Sequence, residues 1–450
     1  MMKTHSLFRA FAAAAVAVGG LVCPAVAAKS TPAPLELRVE CDRPVLPVGE
    51  VQRAIVKIGL RGGRPPREDE RPPVNLVIVL DRSGSMSGEK IARAQEAAIE
   101  ALHRLDRRDL FSLVIYDHEV ATLIAPQAPT DTRWLERQIR GISSRGNTAL
   151  FAGVSQGAAE LRKNLERSGY VHRVLLLSDG LANVGPSSPD DLGRLGGALR
   201  REGIAVTTIG LGDGFNEDLM AALAQRSDGN HYYVAESGDL PRIFAAELGD
   251  VLNVVAQRLE ITVEFPAGVR AIRSIGREAA CRDEQVTFEL NQLYGGQEKF
   301  LLVEVEVPAA KAEEARTLAR ARVRYAEAAD AATRELHAEG QVRFSRDEAL
   351  VRRSANLQVQ TEYATNFVAE AKSRAIALAD AGRQDEAAAV MRQSSVQLGR
   401  VASSYQNAEM AAVAAQAEKE ADEVARSGIA GERRKAMRAD AYKTTNQQRQ

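Results

Sequence analysis

The stretch Val74–Gly88, VNLVIVLDRSGSMSG, decides the fold of this chain. Residues 74–80 form an almost unbroken apolar run, which is typical of a strand that is buried on both faces of a parallel sheet. The polar turn that follows leads into a helical stretch beginning near Glu89. A buried strand that passes through a short polar loop into a helix is the repeating unit of α/β proteins. The stretch therefore predicts a doubly wound, mostly parallel sheet that is covered by helices.

The polar turn carries oxygen side chains at alternate positions. Asp81, Ser83 and Ser85 supply one carboxylate and two hydroxyls that can face a single point. Two further oxygen donors follow later in the chain, since Thr148 begins a helical stretch and Asp179 ends another apolar strand run. Ligands bind at the carboxyl ends of the strands in α/β sheets, so we expect all five side chains to meet there. Such a set of oxygen atoms suits a small, hard divalent cation.

In this order, the five residues resemble the metal-ion-dependent adhesion site of von Willebrand factor A (VWA) domains. That site is written Asp-x-Ser-x-Ser, then a distant Thr, then a distant Asp. The segments VNLVIVLDRSGSMSG, GNTALFAG and LLLSDGLANVG are similar to the secreted bacterial branch of the family and to its relatives among calcium-activated chloride channel regulators. The resemblance covers roughly residues 71–252.

The resemblance implies a metal site whose ligand residues are Asp81, Ser83, Ser85, Thr148 and Asp179. It implies Mg²⁺, or alternatively Mn²⁺ or Ca²⁺, as the cofactor. In the family, part of the carboxylate charge acts through waters instead of direct bonds, and the hydroxyls are neutral. The resemblance therefore implies an under-neutralised ion whose open coordination position attracts an outside carboxylate. In the family this carboxylate is an Asp or Glu of a protein partner. We therefore expect a cation-dependent protein-binding module that serves adhesion or scaffolding.

Segments on both sides of the predicted A domain alternate apolar and polar residues, as half-buried strands do. We interpret them as one β-sandwich into which the A domain is inserted, followed by a helical hairpin region with a third helix. The polar end of the chain is expected to be frayed or disordered. The predicted organisation is a signal peptide at 1–28, sandwich strands at 35–60, the VWA domain at 71–252, the rest of the sandwich at 253–345, a helical region at 346–426 and a polar tail at 427–450.

Charge and hydropathy limit the partners. The 450 residues include 59 basic and 60 acidic side chains, which gives a net charge of −1. No bulk field therefore favours nucleic acid or an anionic membrane surface. Beyond the first residues, no stretch of the sequence is long and apolar enough to span a bilayer. We expect neither a nucleic-acid partner nor stable membrane insertion after the signal is cleaved.

The N-terminus has the pattern of a secretory signal peptide. Lys3 and Arg9 precede an apolar core, and small residues lead to cleavage after Ala27 or Ala28. This pattern predicts a periplasmic or secreted protein of a Gram-negative-type envelope. Two alternatives are an uncleaved anchor and a lipoprotein attached at Cys23. The first is disfavoured by the glycines and proline of the segment, and the second by a valine directly before the cysteine.

Two cysteines remain after signal cleavage. Cys41 precedes the A domain and Cys281 follows it, so each belongs to one half of the predicted sandwich. An oxidising destination would allow them to form a disulfide that joins the two halves. Two separate free thiols are the alternative.

An enzymatic function is the competing hypothesis: a metal-assisted hydrolase or an accessory subunit of an envelope enzyme. Ser87 and Lys90 match the S-x-x-K motif of penicillin-binding enzymes, but the S-D-N and K-T-G partners of that motif are missing from the sequence. Lys90 is instead interpreted as a charge on a helix face. Because the sequence offers no convincing general base or nucleophile, it favours a binding protein that is not an enzyme.

Overall fold

The computed structural model describes residues 35–67, 70–167, 169–282 and 284–448. The predicted signal peptide, with Cys23, lies outside these residues. The strands, in chain order, are β1 (Leu35–Cys41), β2 (Val45–Pro47), β3 (Gln52–Gly62), β4 (Val74–Asp81), β5 (Leu110–Tyr116), β6 (Val120–Gln127), β7 (Val171–Ser178), β8 (Ile204–Leu211), β9 (His231–Val234), β10 (Val254–Glu264), β11 (Arg270–Ile275), β12 (Ala280–Arg282), β13 (Gln285–Tyr294), β14 (Glu298–Val307), β15 (Ala315–Glu327) and β16 (Thr333–Ser345). The α-helices are α1 (Glu89–His103), α2 (Thr132–Arg140), α3 (Leu150–Arg162), α4 (Pro189–Arg201), α5 (Glu217–Ser227), α6 (Leu240–Val251), α7 (Glu348–Arg353), α8 (Leu357–Asp380), α9 (Gln384–Tyr405), α10 (Ala408–Ser427) and α11 (Gly431–Thr445).

The sheet that carries the candidate site has the strand order β6-β5-β4-β7-β8-β9. All neighbouring strands are parallel except β6, which runs antiparallel to β5 at one edge. Every residue of β4 is buried, because helices cover both faces of the sheet. Its side chains alternate: Leu76, Ile78 and Leu80 pack with α1 and α6, whereas Val77 and Val79 pack with α3, α4 and α5. The predicted doubly wound, mostly parallel sheet is confirmed.

Two antiparallel-rich sheets form the β-sandwich. Their strand orders are β1-β3-β14-β11 and β12-β13-β10-β15-β16-β2. Apolar side chains of both sheets share one core, in which Val56 and Ile58 of the first sheet lie with Ile261, Val263 and Val323 of the second. The chain leaves the sandwich at the end of β3 and returns to it at the start of β10. The mostly parallel sheet and its helices are therefore an insertion in the sandwich, as the sequence predicts.

The C-terminal region is helical, with α8, α9 and α10 packed side by side. The predicted polar tail is helical over residues 431–445, which form α11, and its last two residues lie outside the described part of the chain. Tyr442 and Lys435 of this helix are only about 5% exposed. The Tyr442 hydroxyl donates a hydrogen bond of 2.7 Å to the Gly229 carbonyl, which lies between α5 and β9 of the inserted domain. The polar residues of the tail are therefore ordered by partners that are distant in sequence.

The predicted disulfide between Cys41 and Cys281 is not formed: both are free thiols, the first buried and the second exposed. β1 packs beside β16, where a Cβ added to Gly340 would lie 2.6 Å from Val39 Cγ1. Cys281 lies on β12, at the opposite edge of the six-stranded sheet. Four strand spacings separate β12 from β16, which corresponds to about 19 Å. A disulfide requires Cα atoms within about 7 Å, so the two halves place the thiols too far apart.

Among the helices described, none combines the length and apolar character needed to cross a membrane.

Candidate metal centre

The predicted ligand residues come together at the carboxyl ends of the two central strands, β4 and β7. Asp81 is the last residue of β4, and Asp179 directly follows the last residue of β7. Thr148 lies in the loop just before α3. The parallel pairing of β4 with β7 brings their ends to the same edge of the sheet, as the sequence predicts.

Asp81 is fully buried, and both of its carboxylate oxygens accept hydrogen bonds. The backbone N–H of Ser83 donates to Oδ1 at 2.8 Å, and the Ser178 hydroxyl donates to Oδ2 at 2.6 Å. Burial raises the pKa of this carboxyl, while the hydrogen bonds from Ser178 and Ser83 oppose the rise. These contacts fix the orientation of the carboxylate at the start of the loop.

The hydroxyls of the site form a chain that ends on the second carboxylate. Ser83 Oγ lies 3.1 Å from Ser85 Oγ, and Ser85 Oγ donates to Asp179 Oδ1 at 2.6 Å. The Asp179 side chain is completely buried. Ser83 and Ser85 thus share one small polar cluster with Asp179, which is far from them in the sequence.

Gly180 leaves a space that all three hydroxyls face. A Cβ added to this residue would lie 3.1 Å from Thr148 Oγ1, 3.5 Å from Ser85 Oγ and 3.8 Å from Ser83 Oγ. A side chain here would therefore fill the volume in front of the oxygen donors. The converging hydroxyls, the two buried carboxylates and the open space fit a hard divalent cation, which these five residues would hold.

Backbone hydrogen bonds between loops keep the donors in place. The N–H of Gly84 donates to the Gly146 carbonyl at 3.0 Å, and the N–H of Arg145 donates to the Arg82 carbonyl at 2.7 Å. The N–H of Thr148 donates to Asn183 Oδ1 at 2.9 Å. The three loops that contribute ligand side chains therefore brace one another.

Lys90 belongs to the site, contrary to its interpretation as a charge on a helix face. Its Nζ lies 2.5 Å from Asp179 Oδ2, and its side chain is 37% exposed. The residue is the second of α1, whose N-terminus follows the loop that carries Ser83 and Ser85. Its position in the first turn of the helix, directly after that loop, is the feature of the sequence that could have indicated its closeness to the site. The partner, Asp179, is 89 residues away, so only the fold reveals the pair.

A second acidic group lies beside the site but is neutralised by arginines. Asp117, His118 and Glu119 bring ligand atoms within 4.8 Å of one another. Asp117 Oδ2 lies 2.9 Å from Arg82 Nε and 3.0 Å from Arg145 Nε. Burial would raise the pKa of Asp117, but the Glu119 N–H, the Arg145 side chain and the charge of Arg82 hold it below the usual value. This carboxylate braces the loops, and His118 lies on the exposed side of the same turn.

Comparison with known proteins assigns this domain to a family. Residues 75–246 match the family model described as von Willebrand factor type A domain. The Escherichia coli (strain K12) protein YfbK is 27% identical over 252 residues, which are 55% of this chain and 43% of that protein. The Synechocystis protein sll0103 is 28% identical over 197 residues, with 44% and 46% of the two chains covered. Human inter-alpha-trypsin inhibitor heavy chain H3 is 24% identical over 206 residues, which are 43% of this chain and 22% of that protein. The chain spans less than half the length of each of these relatives.

Solved structures share the fold over most of the chain. A von Willebrand factor type A structure from Catenulispora acidiphila has a TM-score of 0.63 at 14% identity and covers 82% of this chain and 89% of that chain. The ArnB paralog VWA2 from Sulfolobus acidocaldarius has a TM-score of 0.60 at 16% identity, and the match covers 92% of this chain and 98% of that chain. Because both matches extend beyond the domain, the surrounding sheets and helices also belong to a shared architecture.

Residues 75–246 are therefore a von Willebrand factor type A domain. Domains of this class generally mediate protein–protein interactions, and they often do so through a metal ion. The chain carries such a domain within a β-sandwich and a C-terminal helical region.

Proposed function

We propose that this protein is an exported, divalent-cation-dependent binding module that captures an Asp or Glu side chain of a partner protein. The observation that carries the proposal is the cluster around Gly180. There three hydroxyls from two loops face one space, and two buried carboxylates complete the set of oxygen donors. Mg²⁺ is the cation that this set suits best, with Mn²⁺ or Ca²⁺ as alternatives.

The charge of the donors explains why an acidic partner is expected. The hydroxyls of Ser83, Ser85 and Thr148 are neutral, so the two carboxylates balance the charge of a divalent ion without a surplus of negative charge that would repel a further carboxylate. A partner carboxylate can therefore complete the coordination as an additional charged oxygen ligand. Hard cations accept such oxygen ligands and otherwise keep water in those positions.

The surroundings of the site do not favour the enzymatic alternative. Lys90 Nζ is paired with Asp179, and His118 Nδ1 lies 3.1 Å from Asp117 Oδ1. These groups are held in ion pairs or hydrogen bonds instead of being placed as a free general base. We therefore propose that the module binds and does not catalyse.

Cation binding is tested with purified protein and Asp81→Ala. Mg²⁺ should stabilise the wild type against unfolding by about 2.7 kcal/mol at a hundredfold excess over its dissociation constant, provided that the unfolded chain does not bind it. Asp81→Ala should abolish this shift. Asp191→Ala, which removes a partly exposed carboxylate at the start of α4, should retain it. Equal calorimetric titrations for wild type and Asp81→Ala would refute the site.

Partner capture is tested by pull-down. The immobilised protein is incubated with envelope extract in Mg²⁺ and in EDTA, alongside Asp81→Ala and Asp191→Ala. A partner that is retained only in Mg²⁺, and only by the wild type and Asp191→Ala, supports the proposal. Retention that is unaffected by EDTA and by Asp81→Ala would contradict it.

We also propose export to the periplasm or the cell exterior. Support comes from the basic start, apolar core and small-residue exit of residues 1–28. N-terminal sequencing of the protein from its native envelope fraction should find a mature chain that begins near Ala28 or Lys29. An intact Met1 in the membrane fraction would contradict cleavage.

A further inference from the structure

Lys90 supplies a positive charge inside the cluster of metal-ligand candidates. Its Nζ lies 2.5 Å from Asp179 Oδ2, while Asp179 Oδ1 accepts the Ser85 hydroxyl at 2.6 Å. Both oxygens of this buried carboxylate therefore have a donor. A Cβ added to Gly212 would lie 3.9 Å from the same Nζ, so the ammonium group is held between α1 and the loop that follows β8.

The charge balance of the site depends on this lysine. Asp81 and Asp179 contribute two negative charges and Lys90 contributes one positive charge, which leaves a net charge of −1. The nearby arginines, Arg82 and Arg145, are already paired with the buried Asp117. With a divalent cation bound, the cluster carries +1. Without the lysine charge it would be neutral.

The lysine charge changes what the site attracts, both when the site is empty and when it holds a cation. A less negative empty site binds a divalent cation more weakly, because the ammonium repels the ion and competes for Asp179. A net positive loaded site binds an incoming carboxylate more strongly. Both effects act over a few ångströms next to a buried carboxylate, where charges are screened less than at the surface.

We propose that Lys90 adjusts the site so that cation binding is weakened while carboxylate binding to the loaded site is strengthened. The inference rests on the proposed function, because it assumes that the five oxygen donors hold a cation. It makes Lys90 a residue that determines partner affinity without being a ligand. Binding of the cation and of the acidic partner are thereby coupled, since each supplies charge that the other requires.

The first test measures the affinity for the cation. Mg²⁺ is titrated calorimetrically into wild type, Lys90→Met, Lys90→Gln and Lys90→Arg. Lys90→Met and Lys90→Gln, which lack the charge, should bind Mg²⁺ about tenfold more tightly, and Lys90→Arg should stay close to the wild type. Lys163→Met is the matched control, because Lys163 also pairs with a buried carboxylate, that of Glu160. This control should leave Mg²⁺ affinity unchanged.

The second test measures the affinity for a carboxylate, with acetate as the probe. Acetate is titrated into Mn²⁺-loaded protein, and displacement of metal-bound water is followed by water-proton relaxation. Lys90→Met and Lys90→Gln should bind acetate about fivefold more weakly than the wild type. The opposite signs of the two effects distinguish a charge-setting role from general damage, which would weaken both.

The outcomes separate this inference from the proposed function. If the wild type binds Mg²⁺ but Lys90→Met and Lys90→Gln have wild-type affinities for Mg²⁺ and acetate, the inference is overturned and the cation site stands. If the wild type binds no divalent cation, the proposed function fails, and this inference fails with it. Circular dichroism of the variants identifies any loss of fold, and with two uncharged replacements the result does not depend on a single variant.

Discussion

At the scale of single residues, the site depends on a position without a side chain. Gly180 directly follows Asp179, and its missing Cβ leaves the hydroxyls of Ser83, Ser85 and Thr148 facing open space. Its backbone angles need no glycine, since its φ lies outside the left-handed region. The reason for glycine here is therefore space and not conformation.

Gly180→Val should weaken Mg²⁺ binding by about tenfold or more, because the added methyl groups occupy the volume that a cation and its waters need. The measurement is calorimetric titration of the variant and wild type at equal pH and ionic strength. Gly238→Val is a suitable control, because a Cβ added at Gly238 meets no atom within 4 Å. If Gly180→Val retains wild-type affinity, the cation does not occupy the space in front of the hydroxyls.

At the scale of elements, α11 connects the helical region to the VWA domain. Arg434 pairs with Glu217 and Asp218 of α5 and with Asp380 of α8. Lys435 donates to Glu217 and to the Phe215 carbonyl, each at 2.6 Å. Helix α5 begins just after the loop that approaches Lys90 at the candidate metal centre, so α11 supports one wall of that site from a distance.

Arg434→Ala should lower the free energy of unfolding by about 1–3 kcal/mol, because three neighbouring carboxylates lose the cation that they share, although Lys435 still pairs with Glu217 and Arg438 with Asp218. Urea denaturation followed by circular dichroism measures the change. The neighbouring Arg433 provides the control: it approaches Glu423 only at 4.0 Å, so Arg433→Ala should cost no more than about 0.5 kcal/mol. A cost for Arg434→Ala as small as that of the control would mean that α11 is not held by this cluster.

At the scale of the whole molecule, a buried polar network joins the VWA domain to the sandwich. Arg173, on β7, is fully buried and donates to Gln292 Oε1 at 2.5 Å and to the Tyr294 hydroxyl at 2.6 Å, both on β13. It also lies 3.5 Å from the buried carboxylate of Glu247 on α6. Two architectural parts thus share one set of hydrogen bonds, which resists their separation because unpaired buried charges are costly.

Buried histidines make the stability of the molecule dependent on pH. Burial lowers the pKa of His231 to about 3 and that of His172 to about 4. In the unfolded chain both would titrate near pH 6.5. As pH falls through about 6.5, the unfolded state takes up protons that the folded state does not, until pH approaches the lowered values. Stability is therefore complete above about pH 7 and decreases between about pH 6.5 and pH 4.

At about pH 5, each of these histidines should reduce the free energy of unfolding by about 2 kcal/mol relative to about pH 7.5. Urea denaturation of the wild type at both pH values tests this. His172→Asn should lose its share of the difference, whereas replacement of the exposed His337 should leave the difference unchanged. A pH dependence that is identical in wild type and His172→Asn would contradict a neutral, buried His172.

The sequence alone was sufficient for the class of sheet, and it predicted which five oxygen donors would lie together at the candidate site. Strand β4 is an almost unbroken apolar run up to Asp81, and burial on both faces favours such a run whatever the rest of the chain does. Asp81, Ser83 and Ser85 are close in sequence, and the general rule that ligands meet at strand ends placed Thr148 and Asp179 beside them. These features follow from local patterns and from one topological rule.

The tertiary structure alone decided the pairing of Lys90 with Asp179, the docking of α11 and the separation of Cys41 from Cys281. Each depends on which elements become neighbours in space. A charged residue in the first turn of a helix has the same local pattern whether it faces water or a carboxylate 89 residues away. A polar tail becomes ordered only if complementary carboxylates, such as Glu217 and Asp218, lie within reach. Two cysteines can share a sandwich and remain unpaired, because strand order sets their distance and single-sequence patterns do not specify that order.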